Sequence, residues 1–143
     1  MNKMMAEIID SHSFRLKELS IKTDVSTLPD CKGDSAQINQ VFSNLLENAV
    51  KYLDPERPGV IHISGYNDKN QSVYCMEDNG IGIAPEHQEK IFEIFYQLEP
   101  YRFEGDGMGL TIVMRIIEMH NGKIWIESEL GRGSKFFVSL PKV

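Results

Sequence analysis

Apolar residues between positions 35 and 53 recur at about 100° per residue, the period of a helix. Ile38, Val41, Phe42, Leu45, Leu46, Ala49 and Leu53 form one broad face, with Tyr52 at its edge. Gln37, Gln40, Asn44, Glu47, Asn48 and Lys51 crowd a narrow stripe opposite. A solvated helix face usually mixes charges without order. This one offers carboxamides, a carboxylate and an ammonium at spacings of three and four, so they can converge on one small object. Oxygen ligands suit Mg²⁺ and an ammonium suits a phosphate. On this helix alone, an ordinary amphipathic helix explains the stripe equally well.

The remaining pattern places this helix among strands. Residues 4–17, with Met5, Ile8, Ile9 and His12 near helical spacing, are predicted as one helix. Its abrupt opening is that expected of a piece of a longer chain. Residues 19–23 alternate with period two and read as a strand. Asp34 or Ser35 is the expected N-cap of the central helix, which must stop before Asp54-Pro55. Residues 60–64 and 72–76 read as two strands joined through Asn67-Asp68-Lys69-Asn70, a hairpin signal. A short helix is predicted over 85–92, with proline in its first turn. Another is predicted over 107–120, closed by Asn121-Gly122. Residues 123–128 and 135–140 complete the strands around Gly131-Arg132-Gly133. Trp125, alternating with Ile124 and Ile126, is core or sheet surface. The pattern implies helices on one side of a largely antiparallel sheet.

Composition narrows the possibilities. A chain of 143 residues fits one domain with a real core. A net charge of -6 argues against a nucleic-acid partner and requires any bound anion to be held by local donors. Cys31 and Cys75 match no metal spacing and a lone pair makes no disulfide framework, so a reducing, cytoplasmic setting is expected. No apolar run approaches the ~20 residues of a membrane span, and no direct membrane contact by this stretch is expected. A longer parent remains free to carry an anchor. His12, His62, His87 and His120 show no metal spacing and read as structural or solvated.

Three further motifs carry chemistry. Asp78-Asn79-Gly80-Ile81-Gly82-Ile83 sets a carboxylate at a strand end before two glycines. Asp78 shares a face with Met76 and Tyr74, pointing it at the helix layer, where a semi-buried carboxylate needs donors such as an adenine amine. An Asx turn in a hairpin loop is the alternative. Gly105-Asp106-Gly107-Met108-Gly109-Leu110 opens a helix, where free N–H groups and the dipole favour an anion. It has neither the Gly-Lys-Ser/Thr ending of a Walker loop nor a dinucleotide register. Gly131-Arg132-Gly133-Ser134 links the last strands, and the Ser134 hydroxyl would reach the end bearing Asp78 if those strands are neighbours. Phe92, Phe95, Tyr96, Tyr101 and Phe103 form either an aromatic latch or a satellite hydrophobic cluster.

In order along the chain, residues 44–52 resemble the N box, 78–82 the first glycine box, 92–95 the F box and 105–110 the second glycine box of sensor histidine kinases. The resemblance covers nearly all of 19–141, and the junction at Glu104-Gly105 looks most like phytochrome-type kinases. It implies an α+β, two-layer α/β sandwich of the Bergerat ATP-binding type, shared with gyrase, heat-shock chaperone and mismatch-repair ATPases. Such a sandwich has a mixed, mostly antiparallel sheet of about five strands and three main helices on one face. It also implies a helical lead-in over 1–17, the tail of a dimerisation region, and a catalytic domain over 18–143.

The resemblance further implies that ATP and Mg²⁺ are bound. Asp78 would take the adenine amine, Asn48 the Mg²⁺, and Asn44 would lie close to the phosphates. Lys51 and Tyr52 would contact phosphate oxygens, and Gly107 and Gly109 would wrap the triphosphate. Gly80, Gly82, Ile83, Phe95, Gly105, Met108, Leu110 and Ser134 would line the nucleotide site. Residues 96–104 would be the lid, with Arg102 its phosphate contact. Hydrolytic relatives carry a glutamate where Asn44 stands, and an amide cannot act as that base. Asn44 and Lys51, with Glu47 assisting, would therefore hold ATP for transfer to a histidine on a separate dimerisation domain. A response-regulator receiver domain would be the onward partner, and the isolated domain is expected to be monomeric. His12 lies too close to the N box to be the acceptor and no acceptor proline follows it. Asp106, where the family often has threonine, would repel the triphosphate or face solvent. The alternatives are a hydrolytic conformational ATPase, an anti-sigma-type serine kinase, or a nucleotide-binding module without transfer activity.

Overall fold

A computed structural model of the chain describes residues 1–92 and 109–143. Helices α1 (Asn2–Ser11) and α2 (Ser13–Glu18) lead into strand β1 (Lys22–Val25), then the long helix α3 (Ser35–Lys51). Strands β2 (Val60–Asp68) and β3 (Gln71–Asp78), helix α4 (Pro85–Gln88), helix α5 (Gly109–Met119), and strands β4 (Lys123–Glu129) and β5 (Gly133–Pro141) follow. The sheet order is β1-β2-β3-β5-β4. Only β1 and β2 run parallel; the other three pairings are antiparallel. The two-layer, mostly antiparallel α+β arrangement expected from the sequence is the one observed.

Alternation along the strands builds the core. Ile61, Ile63, Tyr74, Met76, Phe136, Val138 and Leu140 are buried against Val41, Phe42, Leu45, Leu46 and Ala49 of α3 and Val113 and Ile117 of α5. Met5, Ile8 and Leu16 bring α1 and α2 into the same core. Phe42 meets Tyr74 edge-on at 5.3 Å, a geometry adding about 1 kcal/mol beyond burial. Tyr74 Oη donates to the Pro29 carbonyl at 2.6 Å, fastening loop 26–34 to the sheet. On the opposite sheet face Trp125 stacks on Phe137 at 5.3 Å, so it belongs to the sheet surface.

The first helix and first strand differ from expectation for identifiable reasons. The predicted helix over 4–17 is interrupted at His12, which has φ -103° and ψ 6°. Ser11 Oγ and His12 Nδ1 each donate to the Ile8 carbonyl at 2.8 Å, competing with the backbone ladder. Strand β1 begins at Lys22 rather than Leu19, because residues 19–21 close α2. Ser20 takes φ 54°, and the N–H groups of Ser20 and Ile21 reach back to the carbonyls of Lys17 and Leu16, a Schellman motif that alternation cannot reveal. Helix α3 keeps its predicted start, with Asp34 accepting from the Gln37 N–H at 2.9 Å, but ends at Lys51, before Leu53. Helix α4 is only one turn.

Candidate functional site

Helix α3 turns its apolar face to the core and leaves Asn44, Asn48 and Lys51 half-buried along one edge. The Nδ2 of Asn44 donates to the Gly109 carbonyl at 3.4 Å, so this edge abuts the first residue of α5. The side chains of Asn48 and Lys51 make no hydrogen bond or ion pair to another described residue. Glu47 is exposed and lies 3.5 Å from His12 Nε2. The N-box edge and the glycine-led helix start, 65 residues apart in sequence, are thus neighbours.

The other end of this edge meets the loop after β3. The Tyr52 carbonyl accepts from the Ile81 N–H at 2.9 Å, and a Cβ on Gly80 would fall 2.2 Å from that same oxygen. Gly82, at φ +73°, packs equally tightly on the Glu129 carbonyl. The two glycines of this box are therefore required by protein packing on protein. Ile83 is core, and its N–H donates to Ser128 Oγ at 2.7 Å.

Asp78 sits where these elements converge. It is only 6% exposed and pairs in register with Ser134 of β5. Its Oδ1 accepts from the Gly80 N–H at 2.9 Å. Burial pushes its carboxyl up to about 6, opposed by the N–H groups of Gly80 and Ser134 and by Arg57, and reinforced by Glu77. The two strands are neighbours, as the expectation for Ser134 required, so Ser134 lies at the strand end bearing Asp78, and its hydroxyl pairs with Ser128 Oγ at 2.8 Å, its neighbour on the other side.

Three residues of this region were not singled out by sequence reasoning. Arg57 donates from Nε to the Asn79 carbonyl at 2.8 Å and from Nη2 to the carbonyls of Gly80 at 2.6 Å and Gly131 at 2.9 Å. Asn79 accepts from the Val60 N–H at 2.9 Å and donates to the Pro58 carbonyl at 2.8 Å. Ser128 joins loop 78–83 to the β4–β5 hairpin. Asn79 stands inside a motif whose spacing drew attention to other positions, and Arg57 lies in a loop where nothing local marks it. Phe95, Arg102, Gly105, Gly107 and Met108, the lid 96–104 and Asp106 lie outside the described residues.

A nucleotide with a divalent cation fits what is described. A buried carboxylate beside the Tyr52 end offers an acceptor to a base amine, while the half-buried amides of Asn44 and Asn48 and the Lys51 ammonium along the edge suit a cation and phosphates. Asn44 and Tyr52 are eight residues apart, or about 12 Å along the axis. Among the described residues no His/Cys/Asp/Glu cluster forms a metal cage, so a cation here would depend on substrate oxygens as well as protein.

Residues 33–143 match the family model described as histidine kinase-, DNA gyrase B- and HSP90-like ATPase. The chain belongs to that family. As an ATPase-family domain it is similar to the phytochrome-like protein Cph1 of Synechocystis sp., at 41% identity over 128 residues, 89% of this chain and 17% of that protein. It is likewise similar to the adaptive-response sensory kinase SasA of Thermosynechococcus vestitus, at 43% identity over 90% of this chain and 34% of SasA. The chain therefore spans a minor part of these relatives. The catalytic domain of histidine kinase ThkA superposes with a TM-score of 0.85 at 28% identity, covering 99% of this chain and 92% of that domain. Full-length ShkA in complex with AMPPNP superposes at 0.84 with 29% identity, covering 97% of this chain and 29% of ShkA. Among the described residues no helix is long and apolar enough to cross a membrane.

Proposed function

We propose that this domain is the ATP-binding catalytic domain of a two-component sensor histidine kinase. It delivers the γ-phosphate of ATP to a histidine on a separate dimerisation domain. The supporting observation is that one helix edge is bounded by Gly109 at Asn44 and by the Asp78 loop at Tyr52. A base and its triphosphate can thereby lie along a single rigid element. The family membership and the kinase relatives agree with this reading.

In this reading Asp78 accepts the adenine amine, the N–H groups of Gly80 and Ser134 hold its carboxylate, and Gly80, Gly82, Ile83 and Ser134 line the nucleotide site. Asn48 would hold Mg²⁺. When bound, the cation neutralises charge developing on the triphosphate. Asn44 orients the phosphates and, lacking a basic atom, leaves attack to an incoming nucleophile rather than to water. Lys51 and Tyr52 bind phosphate oxygens, and Glu47 assists from the exposed side of the same helix. Gly109 and Leu110 close the phosphate end, together with Phe95, Arg102, Gly105, Gly107 and Met108. The acceptor nitrogen forms the new N–P bond as the γ-phosphate leaves ADP. Residues 1–17 serve as the lead-in from the dimerisation region and 18–143 as the catalytic unit. A response-regulator receiver domain takes the phosphate onward. ThkA, one of the similar structures, has been solved in complex with a response regulator.

The test is transfer from labelled ATP with Mg²⁺ to a histidine-bearing helical hairpin supplied in trans. Acid-labile phosphate on the hairpin, lost with Asn48→Ala, is expected. Acid-stable phosphate on serine, or steady phosphate release with no acceptor and no dependence on Asn44, overturns the proposal.

A further inference from the structure

Arg57 makes three side-chain hydrogen bonds and has no role among those assigned above. It projects from the loop between α3 and β2, beside its i-3 neighbour Asp54 at 3.8 Å. Its guanidinium serves three carbonyls on two other segments: Asn79 and Gly80 after β3, and Gly131 at the tip of the β4–β5 hairpin. A guanidinium offers a fork of fixed donors for this arrangement, whereas a lysine ammonium is a point charge on a flexible stem.

The peptide linking Asn79 to Gly80 is the informative element. Its carbonyl accepts from Arg57 Nε at 2.8 Å, and its N–H donates to Asp78 Oδ1 at 2.9 Å. A cation polarising one side of a peptide strengthens the donor on the other, so charge and orientation pass through one rigid group. The same guanidinium favours the ionised carboxyl against the pull of burial and of neighbouring Glu77. The hairpin's own charges, Glu129 and Arg132, pair with one another at 3.5 Å.

We propose that Arg57 is a positioning residue for nucleobase recognition, aiming the Asp78 carboxylate through the peptide between Asn79 and Gly80. This rests on the reading that Asp78 receives the adenine amine. It extends that reading to a residue that would not touch the nucleotide.

Adenosine, which has no phosphates to titrate, is the probe. Its affinity is measured against pH for the wild-type chain, Arg57→Met, Arg57→Lys and Asp78→Asn, while NMR follows the Asp78 carboxyl. Arg57→Met should bind about tenfold more weakly at pH 7, as expected for one lost charge-assisted bond, with the Asp78 midpoint moved to higher pH. Arg57→Lys should restore part of the midpoint but little of the affinity, because it returns the charge without the fork. An unchanged midpoint and affinity in both variants, with only thermal stability lowered, would make Arg57 a structural clamp and overturn the proposal. Should Arg57→Met not fold, an Arg57→Lys variant that matches wild type in both midpoint and affinity overturns it equally. Asp78→Asn separates the two layers. If it binds adenosine as the wild type does, the adenine reading itself fails. If it loses binding while the Arg57 variants keep it, only the role of Arg57 falls.

Discussion

The two ends of helix α3 use their polar groups in opposite ways. At the N-terminal end the capping groups are paired within the protein. Asp34 caps the Gln37 N–H, the Asp34 N–H donates to His120 Nε2 at 3.1 Å, and His120 Nδ1 donates to the Ile116 carbonyl at 2.8 Å. That chain ties the start of α3 to the end of α5. Toward the C-terminal end the backbone does the joining, through the Tyr52 carbonyl and Ile81 N–H, while Asn48 and Lys51 lack partners among the described residues. A partly buried ammonium and amide without partners among the described residues are costly for that part of the fold and useful to a phosphate and its cation. One end of the helix serves stability; the other gives some up for binding.

Substitutions at the two ends should therefore separate affinity from stability. The largest effect is expected at Asp78. Asp78→Asn removes the ionised acceptor and should weaken Mg²⁺-ATP binding by about 100-fold in calorimetry, on the order of 3 kcal/mol. The same change should not lower stability at neutral pH. The folded carboxyl titrates at about 6, above its ordinary 3.8, so the folded state prefers the protonated form. The penalty for ionised Asp78 is complete above about 6 and vanishes below the unfolded value. A neutral amide at this position would escape it, so any thermal stabilisation should be greatest above pH 6 and disappear near pH 4. A variant that binds ATP normally, or gains stability only in acid, would break the contrast.

Next in size is Lys51→Ala, for which about tenfold weaker ATP binding is expected, with adenosine binding unchanged. Stability should move by less than about 0.5 kcal/mol, since no described partner is lost. Equal losses for ATP and adenosine would show that Lys51 acts on the fold rather than on phosphates. The smallest effect belongs to the opposite end. Asp34→Ala should cost about 1 kcal/mol in denaturant unfolding, the usual worth of an N-cap, and leave nucleotide affinity unchanged. A large affinity loss there would mean that the two ends are not independent.

The contrast also explains what could be read beforehand. Asn44, Glu47, Asn48 and Lys51 were legible as one edge because helical periodicity places side chains without knowledge of the rest of the fold. The caps at Asp34 and Asn121 were legible for the same reason, being local chemistry. The break at His12 and the late start of β1 were not, because side-chain competition for the Ile8 carbonyl and a left-handed Ser20 leave the apolar spacing almost unchanged. Arg57 was invisible because its three carbonyl partners lie 22 to 74 residues away.

By itself the sequence determined the period of each element, the edge of α3 on which amides and an ammonium gather, and the order of motifs that marks the family. Those properties depend on neighbours within a turn or two of chain. Only the tertiary structure decided that Asn44 touches Gly109, that Gly80 and Gly82 serve packing, that the Ser134 hydroxyl pairs with Ser128, and that Arg57 braces the loop behind Asp78. Each of these follows from strand register and from backbone carbonyls brought together by the fold. A carbonyl is common to every residue, so no pattern of side chains could announce it.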